Sequence, residues 1–207
     1  MGLSSTAASL PSRQEAAADW ATIACPADPN SAYILPTPTY GDTGGKFTVC
    51  AQQDINAPAQ TIYDTLIDFK SYPTWNTFAF QVDLPAEVAS TPQDVYVGMP
   101  IVQHSTGVIP IINTTDDLII SVLDDNASQG YLMPAWKSNT TFLGVLLPTE
   151  HNNILTSLGS GGTRYVSYQT FYEDELGLEN LEALLRGNLQ SGFEQQGQDL
   201  KKYVESR

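Results

Sequence analysis

The sequence predicts an α+β fold, a curved antiparallel sheet wrapped around one long C-terminal helix. Three observations support this. Strand-length runs follow one another from Lys46 to Tyr172, punctuated by Gly, Asn and Asp, and consecutive strands with short gaps pair antiparallel rather than as βαβ units. One short amphipathic segment interrupts them near the start. The chain then closes on a helical periodicity from Asn180 to Glu205.

In chain order, residues 1–45 are rich in Ala, Ser, Thr and Pro and end in Gly41, Gly44 and Gly45. They read as a partly ordered N-terminal extension with a short helix around Arg13–Trp20. Trp20, Tyr33, Ile34 and Leu35 are too apolar for a purely solvated tail. Residues 46–207 read as one domain. Phe47, Val49, Ala51 and Ile55 alternate with polar residues as in a half-buried strand. In "INAPAQTIYDTLIDF", Pro58 suits a first helical turn, and Ile62 and Leu66 share one face. Pro73 blocks continuation. Strand-like runs follow at Phe78–Leu84, Met99–Val108, Leu118–Leu123, Tyr131–Lys137, His151–Leu158 and Thr163–Tyr172.

In the last segment Leu181, Leu185, Leu189, Phe193, Leu200 and Tyr203 recur at helical steps, broken by Gln196. The helix would run roughly 39 Å at 1.5 Å per residue. Gly187, Gly192 and Gly197 lie inside it. Each costs up to about 1 kcal/mol against Ala, so close approach to the sheet or room for a ligand stands beside mere tolerance. A helix only about 10 Å wide cannot fill a strongly curved sheet, which leaves a cavity.

Composition excludes some functions. Net charge is −14 with only 9 Lys and Arg, and none cluster beyond Lys201-Lys202, so neither nucleic acid nor anionic lipid is expected as a partner. No apolar run is long enough to span a bilayer, and stable membrane insertion is not expected. The start lacks a basic n-region and an apolar h-region, so a cytoplasmic location is expected. Gly2 and Thr6 fit the myristoylation pattern, but one acyl chain without basic residues anchors weakly. Cys25 and Cys50 are expected as two idle thiols in a reducing compartment. Asn113, Asn126 and Asn139 begin glycosylation sequons, which carry no meaning without secretion. No His/Cys cluster has metal-ligand spacing and no phosphate-binding Gly motif is present, so neither metal nor cofactor is expected.

"INAPAQTIYDTLIDFKSYPTWNTF" resembles the opening of the SRPBCC, or START/Bet v 1-like, superfamily. The matching residues are Ile55, Ala57, Pro58, Ile62, Tyr63, Leu66, Asp68, Phe69, Tyr72, Pro73, Trp75 and Asn76. Gly161, Gly162, Thr163, Arg164 and Phe171 resemble its late G-G-T-R strand, with Gln169 where Glu is usual and Glu173 where Gly is frequent. Trp136 is similar to a strand Trp of the family, and "LQSGFEQQGQDLKKYVES" to its terminal helix. The resemblance covers residues 46–205 and implies the helix-grip fold. It also implies a cavity for apolar small molecules such as lipids, sterols, polyketides or quinones. Some members are cyclases, and no catalytic motif is common to all.

Function therefore rests on pocket candidates. In the last strand Tyr165, Ser167, Gln169 and Phe171 share one face, expected inward because Arg164 on the other prefers water. His104 is the acid/base candidate, with an unperturbed pKa of roughly 6.5, and a half-exposed strand histidine is the alternative. His151, after Glu150 and before two asparagines, reads as a turn residue. Asp83 and Glu87 read as solvated loop acids. Tyr72, Trp75, Phe80, Tyr131, Trp136 and Phe193 would supply aromatic wall, with Tyr72 and Trp75 closing the cavity or simply plugging the core. The expected function is an intracellular, metal-free cyclase of polyketide- or terpenoid-type intermediates, with His104 and Tyr165 catalytic. It would act as a monomer or homodimer. The alternatives are a non-catalytic carrier or sensor, and an interaction module with a vestigial cavity.

Overall fold

The computed structural model describes residues 18–138, 141–142, 145–146, 148–159, 161–172 and 181–207. Gly2, most of the helix expected near Arg13, the Asn139 sequon, Glu173 and Asn180 lie outside them. In chain order the elements are β1 (Gly45–Ile55), α1 (Ala59–Ile67), the single turn α2 (Tyr72–Trp75), β2 (Ala79–Asp83), β3 (Pro100–Ile109) and β4 (Ile112–Asp124). They continue with β5 (Met133–Ser138), β6 (Thr141–Phe142), β7 (Val145–Leu146), β8 (Thr149–Ser157), β9 (Thr163–Tyr172) and α3 (Leu181–Glu205). Short 3-10 turns sit at Trp20–Thr22, Phe69–Ser71 and Ala127–Gln129.

Seven strands form one curled antiparallel half-barrel in the order β1-β9-β8-β5-β4-β3-β2, and β6 and β7 form a separate ribbon. β4 begins six residues before the expected Leu118, because its first half is the polar, largely exposed "INTTDD". That half carries no apolar alternation, yet its ladder to β3 pairs Gln103 with Asp116 and Ser105 with Thr114. α3 lies across the inner face and buries Leu185, Leu189, Phe193, Leu200 and Val204. Gln196, which breaks the apolar series, is buried on α3 as well.

The glycines of α3 separate into two kinds. A Cβ on Gly192 would sit 2.2 Å from Cε2 of Phe78, whereas one on Gly187 would meet nothing within 4 Å. Gly192 is thus a close-approach residue. Gly187→Ala is expected to stabilise by up to about 1 kcal/mol through helix propensity. Gly192→Ala gains the same propensity but overpacks Phe78 at about 1–3 kcal/mol, so it is expected to destabilise. Urea melts of the two variants should shift in opposite directions, and a parallel shift would contradict the close packing.

The "DFKSYPTWN" stretch is a plug. Phe69, Tyr72 and Trp75 are buried and pack ring on ring, and Trp75 also stacks on Tyr203 of α3. Tyr72 donates its hydroxyl to the Leu66 carbonyl at 2.8 Å, and Trp75 Nε1 donates to Ser71 Oγ at 3.1 Å. Asn76 Oδ1 accepts from the amides of Phe78 and Ala79, turning the chain into β2. The aromatics seal the foot of the helix against α1, each adding on the order of 1.5–3 kcal/mol by burial.

The sheet is covered on its outer face too. Cys50, Met133, Ile154, Val166 and Tyr168 are buried there against Trp20, Ile23, Cys25, Tyr33 and Leu35 of the N-terminal segment. Tyr168 and Thr170 donate to the carbonyls of Pro36 and Leu35. The fully buried Glu150 accepts from the Thr39 amide at 2.8 Å and its hydroxyl at 2.9 Å. Cys25 and Cys50 form a disulfide. They are one covalent clamp, not the two idle thiols the sequence suggested. Such a bond persists in oxidising surroundings rather than in the reducing compartment expected for them. Among the described residues no helix is long and apolar enough to cross a membrane.

Candidate functional site

Between α3 and the half-barrel lies a cavity of about 80 Å³, partly open to solvent. A water needs roughly 10–15 Å³ of such space, so the cavity has room for several waters or one end of a small organic molecule, and not for a whole lipid. Its apolar side comprises Leu185, Leu189 and Phe193 of α3, with Phe78 and Val108. Its polar side is the sheet.

Cross-strand register builds that polar side. Trp136, His151 and Gln169 stand side by side on β5, β8 and β9, and all three line the cavity. The adjacent row runs Leu118, Ser138, then Thr149 and Phe171, also lining it; Ser138 Oγ accepts from the Thr149 amide across the β5–β8 gap. Gln103 and Asp116 pair across β3 and β4 and extend the wall, with Asp117 beside them.

Two groups in this wall are shifted in opposite senses. His151 is 5% exposed, lies 4.9 Å from the Trp136 ring and 4.6 Å from the Phe193 ring, and its Nε2 is 2.9 Å from Ser167 Oγ. Burial pulls its pKa down to about 3, so the imidazole is neutral at ordinary pH. Asp116 is pushed up to about 6, first by burial and then by the neighbouring Asp117 charge. A carboxyl whose proton exchanges near pH 6 and an imidazole that stays unprotonated are groups of the kind acid–base chemistry uses. Trp136, 2% exposed, has an indole N–H with no partner among the described residues. Among those residues no group of three or more His, Cys, Asp or Glu is arranged to hold a metal ion.

The structure places Trp136, Gln169, Phe171 and Phe193 in the cavity wall. Ser167 stands just behind it, on His151. Tyr165 is 1% exposed and gives its hydroxyl to Asn153 Oδ1 at 2.7 Å, away from the cavity lining. His104 is not in the wall. Its Nε2 pairs with Asp83 at 2.8 Å and its ring sits 6.2 Å from Phe80, on the partly exposed side of the sheet edge. The reason is register: on β3 it is Gln103 and Ser105 that line the cavity, which turns the intervening His104 the other way. Tyr72 and Trp75 belong to the plug, and Tyr131 packs with the outer cluster, its hydroxyl on Gln129. None of these three lines the cavity.

Sequence reasoning read His151 as a turn residue and did not weigh Asp116. In "TEHNNILTS" the five residues Thr149 to Asn153 are all polar, so no apolar alternation marks His151 as facing a cavity. Asp116 sits in "NTTDD", where no local feature announces a cavity.

Comparison with protein-family models gives no match, and comparison with curated proteins gives none either. Solved structures do match. The Zhui aromatase/cyclase from Streptomyces sp. R1128 superposes with a TM-score of 0.59 at 15% identity, over 77% of this chain and 94% of that one. Norcoclaurine synthase from Thalictrum flavum, in complex with dopamine and hydroxybenzaldehyde, gives 0.56 at 12% identity over 79% and 90%. A START superfamily protein from Mycobacterium smegmatis gives 0.52 at 15% over 77% and 97%. The chain has the helix-grip fold of the Bet v 1/START, or SRPBCC, superfamily.

Proposed function

We propose that this protein is a small-molecule enzyme of the cyclase type, acting on an amphipathic, carbonyl-bearing intermediate of polyketide character. The observation that carries this reading is His151, a buried, neutral imidazole in a cavity wall that also holds the protonatable carboxyl of Asp116. A carrier of apolar ligands needs neither. The reactive end of the guest lies in the cavity and the remainder leaves through its mouth.

In the mechanism, His151 removes a proton from a carbon between two carbonyls. The resulting enolate carbon attacks a second carbonyl of the same chain, forming one carbon–carbon bond. The alkoxide oxygen takes the proton of Asp116. The product is an isomer of the guest, and protons return between imidazolium and carboxylate through solvent. An imidazole depressed by burial is a weak base in the free protein, but an enolate forming beside it offsets the desolvation and raises its basicity. Holding the guest folded removes much of the entropic cost of ring closure, and the Trp136 N–H is a donor for a guest oxygen.

The test has two arms. Organic extracts of freshly purified protein are examined by mass spectrometry for a retained guest. Synthetic poly-β-ketones are then incubated with wild type, Asp116→Asn and His104→Gln. Faster cyclised product with wild type, lost in Asp116→Asn and kept in His104→Gln, supports the reading. Binding of the ketones without any acceleration by wild type would leave a carrier instead.

A further inference from the structure

Behind the cavity wall lies a buried polar chain that a water-excluded core has no packing need for. Asn153, Tyr165 and Ser167 are each no more than 1% exposed, and His151 is 5% exposed. Asn153 Nδ2 reaches the Pro134 carbonyl at 3.4 Å. Its Oδ1 is 2.7 Å from the Tyr165 hydroxyl and 3.4 Å from Ser167 Oγ. Ser167 Oγ is in turn 2.9 Å from His151 Nε2.

The directions of these bonds follow from one fixed end. A backbone carbonyl can only accept, so the Asn153 amide nitrogen faces Pro134 and its oxygen faces the two hydroxyls. Tyr165 keeps its proton, its pKa being pushed up to about 12 by burial, and donates to that oxygen. The oxygen has a second lone pair, which takes the Ser167 hydroxyl proton. Ser167 is then left with acceptor capacity toward His151, and an acceptor there requires Nε2–H. The opposite tautomer would set the bare Nε2 lone pair against the Ser167 oxygen and leave that 2.9 Å contact without a proton.

From this we infer that Asn153 is a positioning residue: through Ser167 it holds His151 in the Nε2–H tautomer and so keeps the Nδ1 lone pair free for the guest. The inference rests on the reading of His151 as the base. It also gives Tyr165 a place, three hydrogen bonds from the imidazole, as the second donor that orients Asn153. Serine, being both donor and acceptor, could hold either tautomer, and the amide behind it selects one.

The test reads the tautomer directly, in protein without ligand, by long-range proton–nitrogen NMR of ¹⁵N-histidine protein. The chain has two histidines, so His104→Gln assigns the spectrum. Wild type is expected to show His151 with a bare Nδ1 and a protonated Nε2. Asn153→Ala frees the Ser167 proton to turn toward Nε2, and the Nδ1–H form is expected to become the majority. Ser167→Thr keeps the donor–acceptor relay and should keep the wild-type tautomer, as should Tyr165→Phe, which leaves Ser167 on Asn153. Ser167→Ala removes the acceptor and should raise the Nδ1–H population even if Asn153→Ala does not fold. A majority Nδ1–H form in wild type overturns the inference, as does a folded Asn153→Ala or Ser167→Ala with an unchanged tautomer. These readouts stand apart from activity. The expected spectra combined with full turnover in a His151 variant would remove the base and leave the relay intact.

Discussion

His151→Gln is expected to slow ring closure of a cyclisable guest by roughly 100- to 10,000-fold, the range for loss of a positioned general base, while guest affinity changes less than tenfold. The same variant should alter acid stability. In the folded protein the imidazole pKa is lowered to about 3 from 6.5. A group depressed by folding contributes stability that is fully present above its unfolded value, here about pH 6.5, and is lost as pH falls toward 3. The stake is on the order of 4 kcal/mol. Glutamine does not titrate, so the variant should lose less stability than wild type between pH 6.5 and 3 in chemical melts. Asp116 has the opposite sign. Its pKa rises from 3.8 to about 6 on folding, so its contribution is present below 3.8 and lost as pH rises through 6. Asp116→Asn should therefore gain on wild type above pH 6, by about 1–2 kcal/mol once partial solvent screening is allowed for. Profiles that superpose on wild type for both variants would show that neither group is shifted by the fold, and the acid–base pairing would go with them.

The second large effect concerns the outer face. Reduction of the Cys25–Cys50 disulfide, or Cys50→Ser, is expected to cost about 3 kcal/mol, the loop entropy of its 25-residue separation. For a chain of this size that is a fall in Tm of roughly 6–12 °C. The loss should be local at first. Residues near Trp20 are held to β1, β8 and β9 by the bond and by the apolar cluster around Tyr168, so reduction should expose the segment before Gly45 to protease earlier than the sheet. Tm measured with and without reductant, with cleavage sites mapped, checks both parts. An unchanged Tm on reduction would mean that the cluster and the Thr39–Glu150 contacts hold the segment without the covalent bond.

The sequence alone determined what depends on neighbours along the chain. The Leu185, Leu189 and Phe193 spacing is a helix wherever it lies, because one face must be buried every 3.6 residues. The β1 alternation and the Pro58 start of α1 are legible for the same reason, and so is the helix-grip architecture that their order implies. Three things were decided only in three dimensions. Register between β3 and β4 chose Gln103 and Asp116 for the cavity and turned His104 to the edge, since a shift of one residue exchanges the faces. Burial of β8 from both sides, by α3 within and by the Cys25 segment without, made core residues of a Glu-His-Asn-Asn string that locally resembles a turn. The pKa values of His151 and Asp116 then followed from the water that this packing excludes, a property of the assembled wall that no short stretch of sequence contains.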